Sequence, residues 1–215
     1  MQITVLGTEL QLLPEKAIYV EHLQMLLVSD VHLGKSETFQ AAGIPISNRV
    51  NQDSLDRLQA LCLKMQPKTL IILGDLFHSR FSLVKEVLDG WSRFLDAIDL
   101  EVKLIIGNHD RALINSLSQL SITCFTDALQ CDRLLLSHEP CSQPKALNIC
   151  GHIHPCVRLR TKLDNLRLPC FYLEQQQKRL VLPSFGAFTG GYEVELKPGS
   201  TAYVIAENTV VAFEG

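Results

Sequence analysis

The chain has 215 residues, 47% of them hydrophobic, enough to bury one sizeable core without disulfides or a structural metal, so a single domain over 1–215 is expected. A formal net charge of −3 supplies no global positive field, and a polynucleotide would have to be held by a local basic rim or by bound metals. Seven cysteines without a CxxC pair fit reduced thiols in a cytoplasmic compartment, and neither a signal peptide nor a membrane-length apolar run of about 18 residues is present.

Residues 3–5 and 10–13 are short strand-like runs, expected to pair with a hairpin at the far end of the chain. Residues 25–29, 69–73 and 102–106 are continuous Leu/Ile/Val segments of strand length, the composition of strands buried on both faces. Helical spacing separates them. Residues 47–65, after Pro45, line up Val50, Leu55, Leu58, Cys62 and Met65; Ser82 is expected to cap a second helix striped by Val84, Val87, Leu88, Trp91, Leu95 and Ile98. Beyond residue 120 short strands take over, at 134–136, 147–150, 157–161, 170–173 and 180–182. Residues 202–213 read as a hairpin turning at Glu207-Asn208. Strand–helix alternation followed by a strand-rich half predicts a layered α/β fold with a second sheet.

Five runs end on residues carrying oxygen or imidazole donors: Asp30 and His32, Asp75, Asn108, His138, and the pair His152 and His154. In open α/β sheets the loops beyond the carboxyl ends of strands converge on one crevice, which brings residues distant in sequence together. Gly74, Gly107 and Gly151 each precede one of these residues and let the backbone turn sharply. Carboxylates mixed with neutral imidazoles suit manganese, iron or zinc better than calcium, and the absence of cysteine from the set argues against a thiolate zinc site.

Read in order, the segments DxH, GD, GNHD, H and GHxH resemble the motifs of the calcineurin-like metallophosphoesterase superfamily. The resemblance implies a four-layer αββα sandwich with two mixed β-sheets. It places Asp30, His32, Asp75 and His154 on one divalent ion, and Asp75, Asn108, His138 and His152 on the other, with Asp75 as the bridge. Manganese is the expected metal, with iron, zinc or magnesium as alternatives. Two such ions imply a hydrolase in which a bridging hydroxide attacks the phosphodiester in line. His109 lies outside the ligand set and suits an acid that contacts the phosphate and protonates the departing oxygen, with Asp110 orienting its ring.

Lys35, Arg80 and Arg111, and less tightly Arg49, flank these motifs and can grip phosphate oxygens, although a basic loop residue is more often simply solvated. His78 either lines the substrate mouth, packs behind it or stands on the surface, and His22 is read as solvated. Residues 30–46, the stretches GDLFHSR and GNHDR, and residues 182–191 are similar to the ligase-associated DNA damage response endonuclease (PdeM) group. That similarity implies a DNA substrate and repair partners: a DNA ligase, a helicase and a nuclease. Phe185 and Phe188 are expected to pack into the core from a tight turn. Two other readings stay open. One is a small-molecule phosphodiesterase or phosphatase acting on nucleotides or cyclic nucleotides. The other is a non-catalytic interaction module, which would be expected to have lost ligands, and none is missing.

Overall fold

The first half of the chain builds one sheet in plain sequence order. Strands β1 (Gln2–Val5), β2 (Thr8–Leu13), β3 (Ala17–Val20) and β4 (Met25–Val28) are antiparallel neighbours, and β5 (Thr69–Ile72), β6 (Glu101–Ile105) and β7 (Thr123–Phe125) then add in parallel. Short turns join the antiparallel strands, whereas each parallel addition needs a long crossover. The computed structural model describes residues 1–41, 43–44, 46–47, 49–142, 145–160, 165–187 and 189–215.

The crossovers contain α1 (Lys35–Ala41), α2 (Arg49–Met65), α3 (Lys85–Ala97) and α4 (Ile114–Leu117). Along β4 the side chains alternate: Leu26 and Val28 face the helices, while Met25 and Leu27 face the other way. On the helical side Leu55, Leu58, Leu61 and Cys62 of α2 and Val87, Trp91 and Phe94 of α3 close over Leu70, Ile72, Val102 and Leu104. Each such buried side chain is worth about 1.5–3 kcal/mol, which is why both sides of the sheet must be apolar.

The second sheet comprises β8 (Leu129–Cys131), β9 (Leu134–Leu136), β10 (Leu147–Cys150), β11 (Pro155–Arg160), β12 (Asn165–Glu174), β13 (Arg179–Val181), β14 (Tyr192–Glu193), β15 (Ser200–Ala206) and β16 (Thr209–Glu214). Its order is β14-β11-β12-β13-β10-β9-β8, with β15 beside β12 and β16 beside β15. Strands β9, β10 and β13 run parallel, and the other pairings, except β11 with β14, are antiparallel. The two sheets meet through Leu10, Ile18, Leu27, Ile71 and Ile105 on one side and Leu134, Leu136, Leu147, Ile149, Phe171, Leu180 and Leu182 on the other. The α/β class and the two mixed sheets match expectation. The outer face of the second sheet, with Val157, Cys170, Tyr172, Val181 and Val204, is closed by Ile153, Leu159, Leu168 and Val194, with no α-helix among the described residues.

Two local expectations change. Strands β1 and β2 pair with each other and lead into the first sheet, whereas the C-terminal hairpin pairs with β12 of the second. Ser82 does not cap α3, whose N-cap is Val84; it closes a 3-10 turn with Ser79 and donates to the Gly34 carbonyl at 3.1 Å. Helix α1 escapes periodicity because Ser36 is its only buried residue. Phe185 is fully buried in the helical-side core as expected, while Pro45, Thr161 and Phe188 lie outside the described residues. No helix among the described residues is long and apolar enough to cross a membrane.

Candidate active site

The carboxyl ends of β4, β5, β6, β9 and β10 point the same way, and backbone pairing continues past the strands into their loops. Asp30 N–H donates to the Gly74 carbonyl at 3.1 Å, His32 N–H to Asp75 at 3.0 Å, and Gly151 N–H to His138 at 3.0 Å. This locks a set of unfavourable torsions. Asp30 (φ 54), His32 (φ 52), Asp75 (φ 55), His152 (φ 67) and His154 (φ 53) all occupy the left-handed region. Non-glycine residues there cost on the order of 1–3 kcal/mol each, and such strain gathers where side-chain direction matters to function.

Three glycines are dictated by contact. Gly74 has φ 84, and a Cβ there would lie 2.1 Å from His138 Nδ1. A Cβ on Gly107 would lie 2.2 Å from Asp75 Oδ1. A Cβ on Gly151 would lie 1.6 Å from Ser29 Oγ, so all three expected glycine positions serve close approach at the site.

Asp30, His32, Asp75 and His138 are almost wholly buried, whereas Asn108 and His152 are exposed and His154 is intermediate. One group gathers Asp30, His32 and His154, and another Asp30, Asp75 and His138, each with donor atoms within 4.8 Å of one another. Asp75 Oδ2 sits between the sets, 4.0 Å from His32 Nε2 and 3.6 Å from His138 Nε2. His138 Nδ1 bonds the Leu73 carbonyl at 2.9 Å, so its Nε2 faces the crevice, 2.9 Å from Asn108 Oδ1 and 3.1 Å from His152 Nδ1. Asn108 Oδ1 also lies 3.0 Å from His152 Nδ1. The structure thus brings all seven expected ligands together.

The donor set fits divalent ions on its own terms. Asp30 Oδ1 and His154 Nε2 are 2.8 Å apart, yet both are buried without an aligned hydrogen bond. Such atoms are costly unless something satisfies them, and a cation accepts both lone pairs. Burial pushes the Asp30 carboxyl up, but contact with His154, the charge of His138 and the Ser29 hydroxyl outweigh it and hold it below its ordinary value. Asp75 goes the other way: burial, together with the Asp30 charge, raises it against the pull of His138 and the His109 amide. Burial holds the His32 ring down to about 3 despite Asp30, favouring the neutral imidazole that a metal ligand needs.

Asp110 is placed differently from expectation. The Asp110 carboxylate, fully buried, accepts backbone N–H bonds from Asp75 at 2.7 Å, Gly107 at 3.1 Å, Phe77 at 3.3 Å and Leu76 at 3.4 Å. It is a strut for the ligand loops and does not orient His109. That part falls to His78, whose carbonyl takes the His109 Nδ1 bond at 2.5 Å and whose ring stacks on His109 with centroids 5.0 Å apart. His109 Nε2 is 3.9 Å from Asp75 Oδ2. Burial and Asp75 lift Asp110 to about 6 against its amide bonds.

His78 lies 3.5 Å, Nδ1 to Nδ1, from His32, and burial together with Lys35 and His109 holds it down to about 4. An unfolded imidazole near 6.5 accepts a proton that this folded ring refuses. The associated stability is therefore present above pH 6.5 and lost as pH falls toward about 4. In chelator-treated protein, His78→Asn is expected to flatten the decline in thermal stability across that window. An unaltered slope in scanning calorimetry would remove His78 as its source.

Of the expected phosphate grips, Lys35 is near enough for its charge to help lower the His32 and His78 rings. Arg80 is exposed over the Phe81 ring, 5.0 Å from its centroid. Arg111 stands on the rim, 3.3 Å from Glu139. Sequence reasoning missed the backing of Asp30: Ser184 Oγ and Gly186 N–H donate to its carbonyl at 2.8 and 3.0 Å, and Phe185 N–H donates to Ser29 at 2.8 Å. Residues 182–191 were visible as a distinctive stretch, but their partner was not.

Acidic and imidazole ligands carried on the strand ends of two mixed sheets define a metal-dependent phosphoesterase. The chain belongs to the calcineurin-like phosphoesterase family, whose profile matches residues 23–141. It is similar in structure to the Pseudomonas putida nuclease MPE, with a TM-score of 0.84 and 33% identity over 98% of this chain and 99% of that one. A protein of unknown function from Aquifex aeolicus, AQ665, aligns at a TM-score of 0.42 and 23% identity over 60% of this chain and 78% of that one, too low to inform the reading. No curated protein matches the sequence.

Proposed function

We propose that the chain is a dinuclear-metal phosphodiesterase that cleaves DNA in a repair setting. The observation that carries this reading is its similarity to a nuclease over nearly the whole of both chains. Asp30, His32, Asp75 and His154 would hold one ion, and Asp75, Asn108, His138 and His152 the other. When bound, two divalent ions, manganese in this proposal, lower the pKa of a water and neutralise charge on the phosphoryl oxygens. Cytoplasmic location and association with a DNA ligase, a helicase and a nuclease belong to the same proposal.

The chain's own residues supply the rest. Asp75 and Asp30 concentrate negative charge in a buried crevice. His109, held at Nδ1 by the His78 carbonyl, turns Nε2 toward that crevice, where its proton can pass to the departing oxygen. Lys35, whose charge reaches His32 and His78, would pair with a non-bridging oxygen. His109→Asn is expected to lower turnover by at least about 100-fold while the bound metal stays stoichiometric by elemental analysis. Loss of metal along with turnover would make His109 a ligand instead.

The deciding experiment compares manganese-loaded protein on linear single-stranded DNA, nicked duplex, supercoiled plasmid, bis-p-nitrophenyl phosphate and p-nitrophenyl phosphate. DNA and the diester are expected to be cleaved. Hydrolysis of the diester with no DNA cleavage would end the nuclease reading in favour of a small-molecule phosphodiesterase, and preference for the monoester would indicate a phosphatase.

A further inference from the structure

Beside His154 the crevice continues into a cavity of about 250 Å³, bordered by Lys16, Cys156, Arg167, Ser184, Thr189 and Gly191. It is smaller than typical drug-sized pockets, and its lining combines two cationic side chains with an imidazole, a thiol and two hydroxyls. Lys16 sits in the turn between β2 and β3, its backbone in the left-handed region (φ 67) and its N–H bonded to the Leu13 carbonyl at 3.0 Å. Among the described residues its ammonium has neither a hydrogen bond nor an ion pair. Burial, reinforced by the Arg57 charge, brings it down to about 8, the mark of a positive charge short of an anion.

Most neighbouring charges are engaged elsewhere; Glu15 Oε2 is buried without a partner, and Glu207 borders a second cavity with Lys16 and Arg57. Glu15 pairs with Lys64 at 3.0 Å, and Glu193 with Arg158 at 2.8 Å. Arg57 is pinned over the Phe185 ring, 4.1 Å from its centroid, and donates to the Phe185 carbonyl. On the opposite wall Arg167 is anchored by Nε to Cys156 Sγ at 3.1 Å and by Nη2 to the Gly191 carbonyl. Its Nη1 has no partner among the described residues. Thr189 Oγ1 is buried and also lacks a partner, in a structure where buried hydroxyls ordinarily find one.

We propose that Lys16, Arg167 and Thr189 form an anion subsite that takes the phosphate of a neighbouring nucleotide when a strand lies across the metal-ligand crevice. The inference rests on the nuclease reading for the identity of that phosphate. Two cations and a hydroxyl donor match a phosphate's oxygens, and the shared border at His154 makes the cavity continuous with the reacting centre. The chain thus gains a local basic grip that its net charge of −3 conceals.

The test uses full-length, manganese-loaded protein and Lys16→Gln, with Lys16→Arg and Arg167→Gln beside it. The ratio of kcat/KM on single-stranded DNA to kcat/KM on bis-p-nitrophenyl phosphate, which has no second phosphate, is expected to fall about tenfold in Lys16→Gln, the worth of one charge-assisted hydrogen bond. Lys16→Arg restores the ratio, and the salt dependence of DNA cleavage becomes shallower by about 0.7 in log–log slope. A ratio that stays within twofold of the unsubstituted protein, in both Lys16→Gln and Arg167→Gln, overturns the subsite. Failure of the nuclease reading shows separately, as no DNA cleavage by the unsubstituted protein. In that event the subsite is read from inhibition of diester hydrolysis by inorganic tripolyphosphate with manganese in excess: weaker inhibition of Lys16→Gln upholds it and equal inhibition overturns it.

Discussion

Asp75→Ala is expected to lower phosphodiester hydrolysis by at least about 1000-fold and to reduce the metal content of the purified protein. The expectation comes from placement. Asp75 Oδ2 is 3.6 Å from His138 Nε2 and 4.0 Å from His32 Nε2, so the lost carboxylate faces imidazoles of both proposed ligand sets at once. Folding should survive, because burial and the like charge of Asp30 already raise the Asp75 pKa and make its ionised form costly. Near-UV circular dichroism and elemental analysis separate the two effects. A variant that keeps full metal content, with hydrolysis reduced less than tenfold, would remove Asp75 as the bridge.

The second large effect concerns stability. Asp110→Ala is expected to cost about 3–5 kcal/mol, since it strands the backbone N–H groups of Gly107, Asp75, Leu76 and Phe77 in a buried loop junction. Asp110→Asn keeps one oxygen acceptor but turns an amide donor toward other donors, and should fall between alanine and aspartate. Urea unfolding of chelator-treated protein measures both. Were Asp110→Ala to unfold at the unsubstituted midpoint while turnover alone dropped, Asp110 would act on His109 after all, and the strut assignment would fail.

Much of the site was legible because its chemistry repeats a local pattern: an apolar run, a sharp turn, then a donor side chain. Asp30, Asp75, Asn108, His138, His152 and His154 each follow such a run, and each strand end aims at the same crevice. Asp110 was harder. Its neighbour in sequence, His109, suggested an imidazole partner, but one residue later the chain has turned into the loop junction, where four amides compete for the carboxylate and win. His78 was harder still, because what it contributes to His109 is a backbone carbonyl, which no side-chain pattern encodes. Helix α1 left almost no periodic signal, with only Ser36 buried.

By itself the sequence determined the α/β class, the strands buried on both faces and the order of the donor residues, because hydrophobic period and ligand type are local properties of the chain. Only the tertiary structure decided which residues support them. The bond from Ser184 to the Asp30 carbonyl spans 154 positions, and the cavity that unites Lys16 with Arg167 joins a turn of the first sheet to a strand of the second. Contacts of that kind depend on how two sheets stack, and stacking is set by the summed packing of Leu27, Ile71, Leu136, Ile149 and their neighbours, which no single segment carries.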